Sequence, residues 1–259
     1  GATYAGMKTY GENKFDLGIL YSVSPCTTAG TFTTSKIRSP SVLLSEQRIN
    51  GGAKAIIVNS GIANACVGEY GLTDAKEMAS LAAEQLGIKN EEVLVCSTGL
   101  IGVELPMALI RTGVGKIQIT ENGGNALARA MLTTDQRTKE IAITCQGNES
   151  EFTIGGISKG SGMIHPNMAT MLAFLSTDAN VEAEFLRACL REIVGETFNM
   201  ITIDGDTSTN DSVILLANGQ SAGEKIKDGS ENANLFRNGL RTVCTHLAKE
   251  IIRDAEGAS

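Results

Sequence analysis

The sequence predicts an α+β protein, and three observations lead to this fold class. Short β-prone runs and amphipathic helical runs follow one another along the chain, separated by glycine-rich turns. The β-prone runs lack the even spacing that repeated βαβ units produce. Hydrophobic residues make up 42% of the 259 residues and charged residues 20%, which is typical of a globular protein. With seven Phe, four Tyr and no Trp, the predicted core is mostly aliphatic.

The order of the elements follows from hydrophobic periodicity. Strands are predicted where apolar residues alternate or form short β-branched runs, at residues 16–23, 30–34, 55–59, 92–96, 140–144, 151–157, 170–176, 200–203 and 212–217. Helices are predicted where apolar residues recur every three or four positions, at residues 73–86, 123–132, 181–197 and 235–253. Thr73 and Asp74 are predicted to cap the first helix and Gly87 to end it.

Charge and cysteine usage argue against several classes of function. A formal net charge of −7 without a basic cluster predicts no nucleic-acid partner. The apolar runs are too short to span a bilayer, which predicts no membrane association. Six scattered cysteines without a CxxC pair, and only two histidines, predict no metal site. The cysteines are predicted to be buried free thiols, which favours a reducing cytoplasm.

The most informative segment covers residues 159–174, where a loop rich in glycine and proline leads through Ala169 to Thr170 and an apolar run. A chain cut between Ala169 and Thr170 would begin with a threonine whose hydroxyl is a nucleophile and whose α-amine is its base. The α-amine has a reference pKa of ~7.7–8.0, near the working pH. A threonine at the start of a strand is also an ordinary β-branched residue, so the local pattern leaves both interpretations open.

Three further motifs have competing interpretations. Thr98 and Gly99 follow an apolar strand, and they predict either a plain strand-to-helix connection or an oxyanion hole built from the Gly99 N–H and the Thr98 hydroxyl. Residues 155–162 fail both nucleotide-loop templates, and Lys159 alone is typical of a solvated charge. Residues 204–211 lack the closing Glu of a calcium loop and predict a self-capping polar turn.

Taken together, these segments resemble the ornithine acetyltransferase family, the bifunctional glutamate N-acetyltransferases of arginine biosynthesis. The resemblance runs over nearly the whole chain and is carried by residues 31–34, 57–61, 63–66, 93–99, 105–107, 131–135, 159–172 and 204–211. The block at 159–172 is the most specific of them. We therefore treat the family's fold, activity and site residues as expectations for this chain.

The resemblance implies self-cleavage between Ala169 and Thr170, giving an α fragment of residues 1–169 and a β fragment that begins at residue 170 and includes 170–259. It implies that Thr170 accepts the acetyl group of N2-acetylornithine and passes it to glutamate in a ping-pong reaction. Thr98 and Gly99 then form the oxyanion hole. No cofactor is implied, although some members use acetyl-CoA as donor, which leaves it open as a co-substrate.

The family's substrate-binding positions fall on Thr133, Lys159, Thr170 and Glu256, with Glu250 the less favoured alternative to Glu256. By charge, Lys159 suits a substrate carboxylate and Glu256 an ammonium group. The resemblance also implies a layered α/β/β/α sandwich related to autoproteolytic N-terminal-nucleophile enzymes, assembled from two α and two β chains.

Family chains begin earlier than this sequence and continue beyond its last residue. In the family, the additional C-terminal segment supplies an Asn and a terminal hydroxyl residue to the site. Three functional hypotheses are therefore kept open. The chain belongs to an acetyltransferase, to a self-cleaving aminopeptidase or amidohydrolase, or to an inactive domain that binds an amino acid.

Overall fold

The fold was analysed in a computed structural model, which describes residues 1–8, 14–147, 150–164 and 171–257. The strands within these ranges are β1 (Ala2–Thr3), β2 (Leu17–Tyr21), β3 (Thr27–Phe32), β4 (Ala55–Ile62), β5 (Val93–Leu100), β6 (Lys139–Gln146), β7 (Glu151–Lys159), β8 (Leu172–Thr177) and β9 (Ser212–Ala217). The helices are α1 (Pro40–Arg48), α2 (Tyr70–Leu86), α3 (Met107–Val114), α4 (Gly124–Met131), α5 (Ala183–Glu196) and α6 (Ala233–Arg253).

The strands form two sheets. The first has the order β1-β2-β4-β5, in which β4 and β5 are parallel and the other neighbours antiparallel. The second has the order β3-β9-β8-β7-β6, in which only β8 and β9 are parallel among the described strands. In this second sheet, strands from before and after the predicted cleavage point are neighbours, since β9 pairs with β3 and β8 pairs with β7.

The two sheets pack face to face, and helices cover both outer faces. Ile56 and Val58 of β4 share a buried cluster with Leu172 and Phe174 of β8, and this cluster fills the space between the sheets. The intervening residue Ile57 points the other way and packs in the cluster formed with α2 and α3. A third cluster joins the outer face of the second sheet to α5 and α6. These layers confirm the predicted α/β/β/α sandwich.

Helix α6 shows why the periodic helices were predictable. Its buried residues recur every three or four positions, at Phe236, Leu240, Val243, Leu247 and Ile251. Burying such an apolar stripe is the main source of helix stability in a folded protein.

Helix α2 begins earlier than predicted. It ends before Gly87 as expected, with this glycine in the left-handed region at φ 65°. The predicted caps Thr73 and Asp74 are wrong, because both residues lie inside the helix. Its first turn is held by a tertiary contact instead, the 2.9 Å hydrogen bond that the Asn64 side chain donates to the Gly71 carbonyl.

One predicted strand is absent from the structure, and two of its helices were not predicted. No strand forms at 200–203, because Thr202 and Ile203 donate to the Ile164 carbonyl (3.0 and 2.7 Å) rather than to a neighbouring strand. Helix α1 was not predicted, because its buried face carries serines. Ser41 and Ser45 bond to Ser97 and to the Val95 carbonyl of β5 at 2.8 and 2.7 Å. Helix α3, also not predicted, is only eight residues long and contains a glycine.

All six cysteines are free thiols, and five of them are buried as predicted. Cys66 is the exception, because it is exposed. In the described ranges, no helix combines the length and the apolar character needed to cross a membrane.

Candidate active site

A cavity of about 490 Å³ lies where the C-terminal ends of β4 and β5 approach the second sheet. It is lined by five of the residues that the sequence analysis singled out, namely Thr98, Gly99, Thr133, Lys159 and Glu256. The predicted nucleophile Thr170 and its neighbour Ala169 lie outside the described residues, as does the rest of 165–170. The described chain resumes at Met171, directly before β8.

Thr98 and Gly99 lie within β5 itself, so their interpretation as a strand-to-helix connection is wrong. Gly99 has φ 132°, and a Cβ there would lie 2.2 Å from the Gly61 carbonyl carbon of β4. Only glycine permits this approach, which coincides with an irregularity in the β4–β5 register. The two residues are thus fixed at the cavity wall by the packing of two parallel strands.

Lys159, the last residue of β7, is buried, and its side chain is 2% exposed. The interpretation as a solvated charge is therefore wrong. Its Nζ donates to Thr133 Oγ1 at 2.8 Å and to Thr98 Oγ1 at 3.4 Å, and it lies 3.9 Å from Asp135 Oδ2. Burial lowers the pKa of Lys159, while the Asp135 carboxylate opposes that shift. One ammonium group thus connects two predicted site threonines.

A buried ion-pair network holds this lysine in place. Asp135 accepts from Lys139 Nζ at 2.8 Å and from the Gly160 amide at 2.6 Å. Lys139 also donates to Asp254, at the end of α6, at 2.6 Å. Burial alone would raise the pKa of Asp135, but the ammonium groups of Lys159 and Lys139 outweigh it and lower this pKa to about 2. Asp135 is therefore ionised at neutral pH.

Glu256 contributes a carboxylate to the lining of the cavity. Its amide donates to the Ser161 carbonyl at 2.8 Å, and a Cβ at Gly162 would come within 2.9 Å of its carboxylate. Glu250 instead pairs with Arg137 at 3.1 Å and does not line the cavity. Of the two alternatives, the structure places Glu256 at the site.

Lys8 and Asp204 are two of the charged lining residues that the sequence analysis did not predict as site residues. The Lys8 ammonium donates to the Phe15 carbonyl at 2.6 Å, and burial lowers the pKa of Lys8 to about 8. The Asp16 carboxylate accepts hydrogen bonds from the backbone amides of residues 5–8 and so fixes the segment that carries Lys8. Because this contact joins two separate segments, no local sequence pattern marks Lys8.

The second is Asp204. It caps the Asp206 amide at 3.1 Å, as the predicted polar turn requires, and also accepts the Ile164 amide at 2.9 Å. The only sequence signal for Asp204 as a site residue was its position at the start of the 204–211 motif.

The cavity is lined by both cations and carboxylates. Lys159 and Lys8 supply positive charge, and Glu256 and Asp204 supply negative charge. Such a site matches a molecule that carries both an ammonium and a carboxylate group. Among the described residues, no group of three or more His, Cys, Asp or Glu side chains is placed to hold a metal ion.

Solved structures of low sequence identity share this architecture. The L-aminopeptidase D-Ala-esterase/amidase of Ochrobactrum anthropi, described as a variant of the Ntn-hydrolase fold, matches 98% of this chain and 83% of its own at a TM-score of 0.54 and 12% identity. This chain therefore has the same fold, a layered sandwich of the Ntn-hydrolase type.

The family model for the ArgJ family matches residues 1–259, and this chain belongs to that family. The arginine biosynthesis bifunctional protein ArgJ of Dehalococcoides mccartyi is 49% identical over 259 residues, which cover all of this chain and 64% of that protein. The chain thus spans less than two thirds of the length of such curated relatives.

Two solved relatives match as well. ArgJ of Bacillus halodurans is 38% identical (TM-score 0.61, 65% of this chain and 88% of that chain). The ornithine acetyltransferase of Mycobacterium tuberculosis, solved in complex with ornithine, is 32% identical (TM-score 0.56, 64% of this chain and 89% of that chain).

Proposed function

We propose that this protein is a glutamate N-acetyltransferase of the ornithine acetyltransferase type, which cleaves itself between Ala169 and Thr170. The observation that carries the proposal is that a buried lysine and a glutamate line the same cavity as Thr98 and Gly99. Family membership and the ornithine-bound relative support an amino-acid substrate.

Self-cleavage begins when Thr170 Oγ attacks the Ala169 carbonyl carbon. The C–N bond breaks, the hydroxyl proton passes to the nitrogen, and an ester remains that water hydrolyses.

In the transfer reaction, Thr170 Oγ attacks the acetyl carbon of N2-acetylornithine while its own α-amine takes the hydroxyl proton. The amide bond breaks and ornithine leaves with that proton on its nitrogen. The amine of glutamate then attacks the acetyl-Thr170 ester, which restores the hydroxyl. Thr98 and Gly99 stabilise the oxyanion of both tetrahedral intermediates, and two such donors are typical of acyl transfer.

Lys159 and Glu256 orient the substrate in this proposal. The ammonium of Lys159 binds the substrate α-carboxylate, Thr133 adds a hydroxyl, and Glu256 binds the side-chain ammonium of ornithine. The reaction needs no bound cofactor, because the acetyl group travels on Thr170, and acetyl-CoA enters only as an alternative donor. We also propose an α2β2 assembly and a cytoplasmic location, the latter supported by the six free thiols.

The test is an assay of the full-length protein with N2-acetylornithine and glutamate, in which ornithine and N-acetylglutamate are both quantified. We expect stoichiometric transfer, and an acetylated fragment beginning at Thr170 when glutamate is omitted. Release of acetate instead of N-acetylglutamate would identify an amidohydrolase, and binding of ornithine without turnover would identify an inactive domain.

Replacing Lys159 tests the substrate contact. We expect Lys159→Met to lower kcat/KM for both substrates about 10- to 100-fold, mostly through KM, because charge-assisted hydrogen bonds to the substrate carboxylate are lost. Lys116→Met, which replaces an exposed lysine that does not line the cavity, is the matched control. Unchanged kinetics in a folded Lys159→Met protein would remove Lys159 from the proposed site.

A further inference from the structure

The residue that follows the predicted nucleophile is held at both of its backbone groups. The Met171 amide donates to Asp211 Oδ1 at 2.9 Å, and the Met171 carbonyl accepts the Ser212 amide at 3.2 Å. The Asp211 carbonyl is itself fixed by the Thr33 amide at 3.0 Å. The segment before β9 therefore sets the position of the first described residue after Thr170.

The same segment also reaches the proposed oxyanion hole. The Asn210 side-chain amide donates to the Ser97 carbonyl at 2.9 Å and to the Ala63 carbonyl at 2.6 Å. Ser97 precedes Thr98, and Ala63 follows β4. Asn210 and Asp211 together thus join the strand that begins after Thr170 to the strand that carries Thr98 and Gly99.

We propose that Asn210 and Asp211 are positioning residues, which set the separation between Met171, the residue after the proposed nucleophile, and the Thr98–Gly99 pair, and that they act in this way on cleavage and transfer. This inference rests on the proposed function. Asp211 acts through the Met171 amide, and Asn210 acts through the Ser97 carbonyl. The end of the polar turn predicted at 204–211 thus links the two sheets through hydrogen bonds.

The state of the Asp211 carboxyl supports this role. The residue is completely buried, and its Oδ2 accepts no hydrogen bond from the described residues. Burial raises the pKa of Asp211 to about 8, although the Met171 amide, the nearby Ser208 hydroxyl and the Lys159 ammonium oppose the shift. Lys159 is the only charged group among the described residues that acts on this pKa.

Asp211 is consequently mostly neutral at pH 7, and a neutral carboxyl still accepts the Met171 amide through its carbonyl oxygen. Ionisation would put a negative charge on the acceptor of the Met171 amide, one residue after the proposed nucleophile, and a negative charge so placed opposes the anion that develops during cleavage. We therefore expect self-cleavage to slow as the pH rises through about 8. Self-cleavage reports the titration of Asp211 more directly than acetyl transfer does. Before cleavage the nitrogen of Thr170 is part of a peptide bond, so it does not titrate.

The experiment follows cleavage of the freshly translated full-length chain on denaturing gels from pH 5.5 to 9.5. Asp211→Asn keeps an acceptor for the Met171 amide, whereas Asp211→Leu removes it. Asn210→Asp keeps the size of the side chain and removes its donors. Thr177→Val is the control, since it removes a buried side-chain hydrogen bond to the Ala179 amide at the opposite end of β8.

We expect Asp211→Asn to cleave within about threefold of the wild type at pH 7, without the decline above pH 8. Asp211→Leu and Asn210→Asp should cleave at least about tenfold more slowly, and Thr177→Val at the wild-type rate. Cleavage of Asp211→Asn as slow as that of Asp211→Leu overturns the inference, and so does a normal rate in all variants. If Asp211→Leu does not fold, the pH profile of Asp211→Asn decides. An uncleaved wild-type chain overturns the proposed function as well.

Discussion

Thr170→Ala should yield a single uncleaved polypeptide and lower acetyl transfer by at least about 10³-fold, since both reactions use the same hydroxyl. Electrophoresis and mass spectrometry of the purified protein report cleavage, and the N2-acetylornithine assay reports transfer. Thr170→Ser keeps a hydroxyl on the same backbone atom and should retain part of each activity.

The Thr170 assignment would be contradicted by an alanine variant that is cleaved and active. It would fail equally if the intact wild-type chain, with the bond between Ala169 and Thr170 unbroken, transferred acetyl groups at the full rate. Thr177→Val again serves as a control, because it alters a buried threonine at the far end of β8, away from the cavity. Its cleavage should be complete.

The second large effect concerns stability. Lys139→Met should lower the free energy of unfolding by about 3–5 kcal/mol, because it removes the partner of two buried carboxylates, Asp135 and Asp254. The measurement is denaturant unfolding in the Thr170→Ala background, in which the chain remains one polypeptide. Arg38→Met breaks an exposed pair with Glu46 and should change stability little.

The effect of Lys139→Met should depend on pH in a defined direction. The pKa of Asp135 is about 2 in the folded protein and ~3.9 in an unfolded chain. Its ionised form thus stabilises the fold above about pH 4, and this contribution is lost as the pH falls towards 2. The difference between wild type and variant should therefore be largest at neutral pH and shrink on acidification. A constant difference from pH 7 to pH 3 would exclude this explanation.

Much of the fold could be predicted because its core follows simple periodicities. The stripe of α6 and the short, continuous apolar run of β4 place apolar residues where each element buries them. Helix α1 could not be predicted in this way, since Ser41 and Ser45 occupy its buried face and are satisfied by hydroxyl bonds to β5. No apolar pattern marks a helix whose buried contacts are hydrogen bonds.

The candidate site, like the fold, was predictable in part. Thr98, Gly99, Thr133, Lys159 and Glu256 were singled out from the sequence, chiefly through the family resemblance, and they line one cavity. Their roles stay predictions. The burial of Lys159 could not be predicted, because it depends on partners such as Asp135 and Lys139, which lie in other segments. Asp211 was passed over for the same reason, since its partner Met171 lies 40 positions away.

The five-stranded sheet contains strands from both sides of the proposed cleavage point, and this has a consequence for refolding. A cut between 169 and 170 leaves β8 and β9 enclosed by β7 and β3 of the other piece, so the two pieces hold together without a peptide bond. Refolding after denaturation would then require two molecules to meet, with an unfavourable dependence on dilution. The uncut chain would fold as one molecule, whereas a cut protein that unfolded would have to reassemble from two. The lifetime of the folded, cut protein would then be set by its rate of unfolding rather than by its free energy of unfolding.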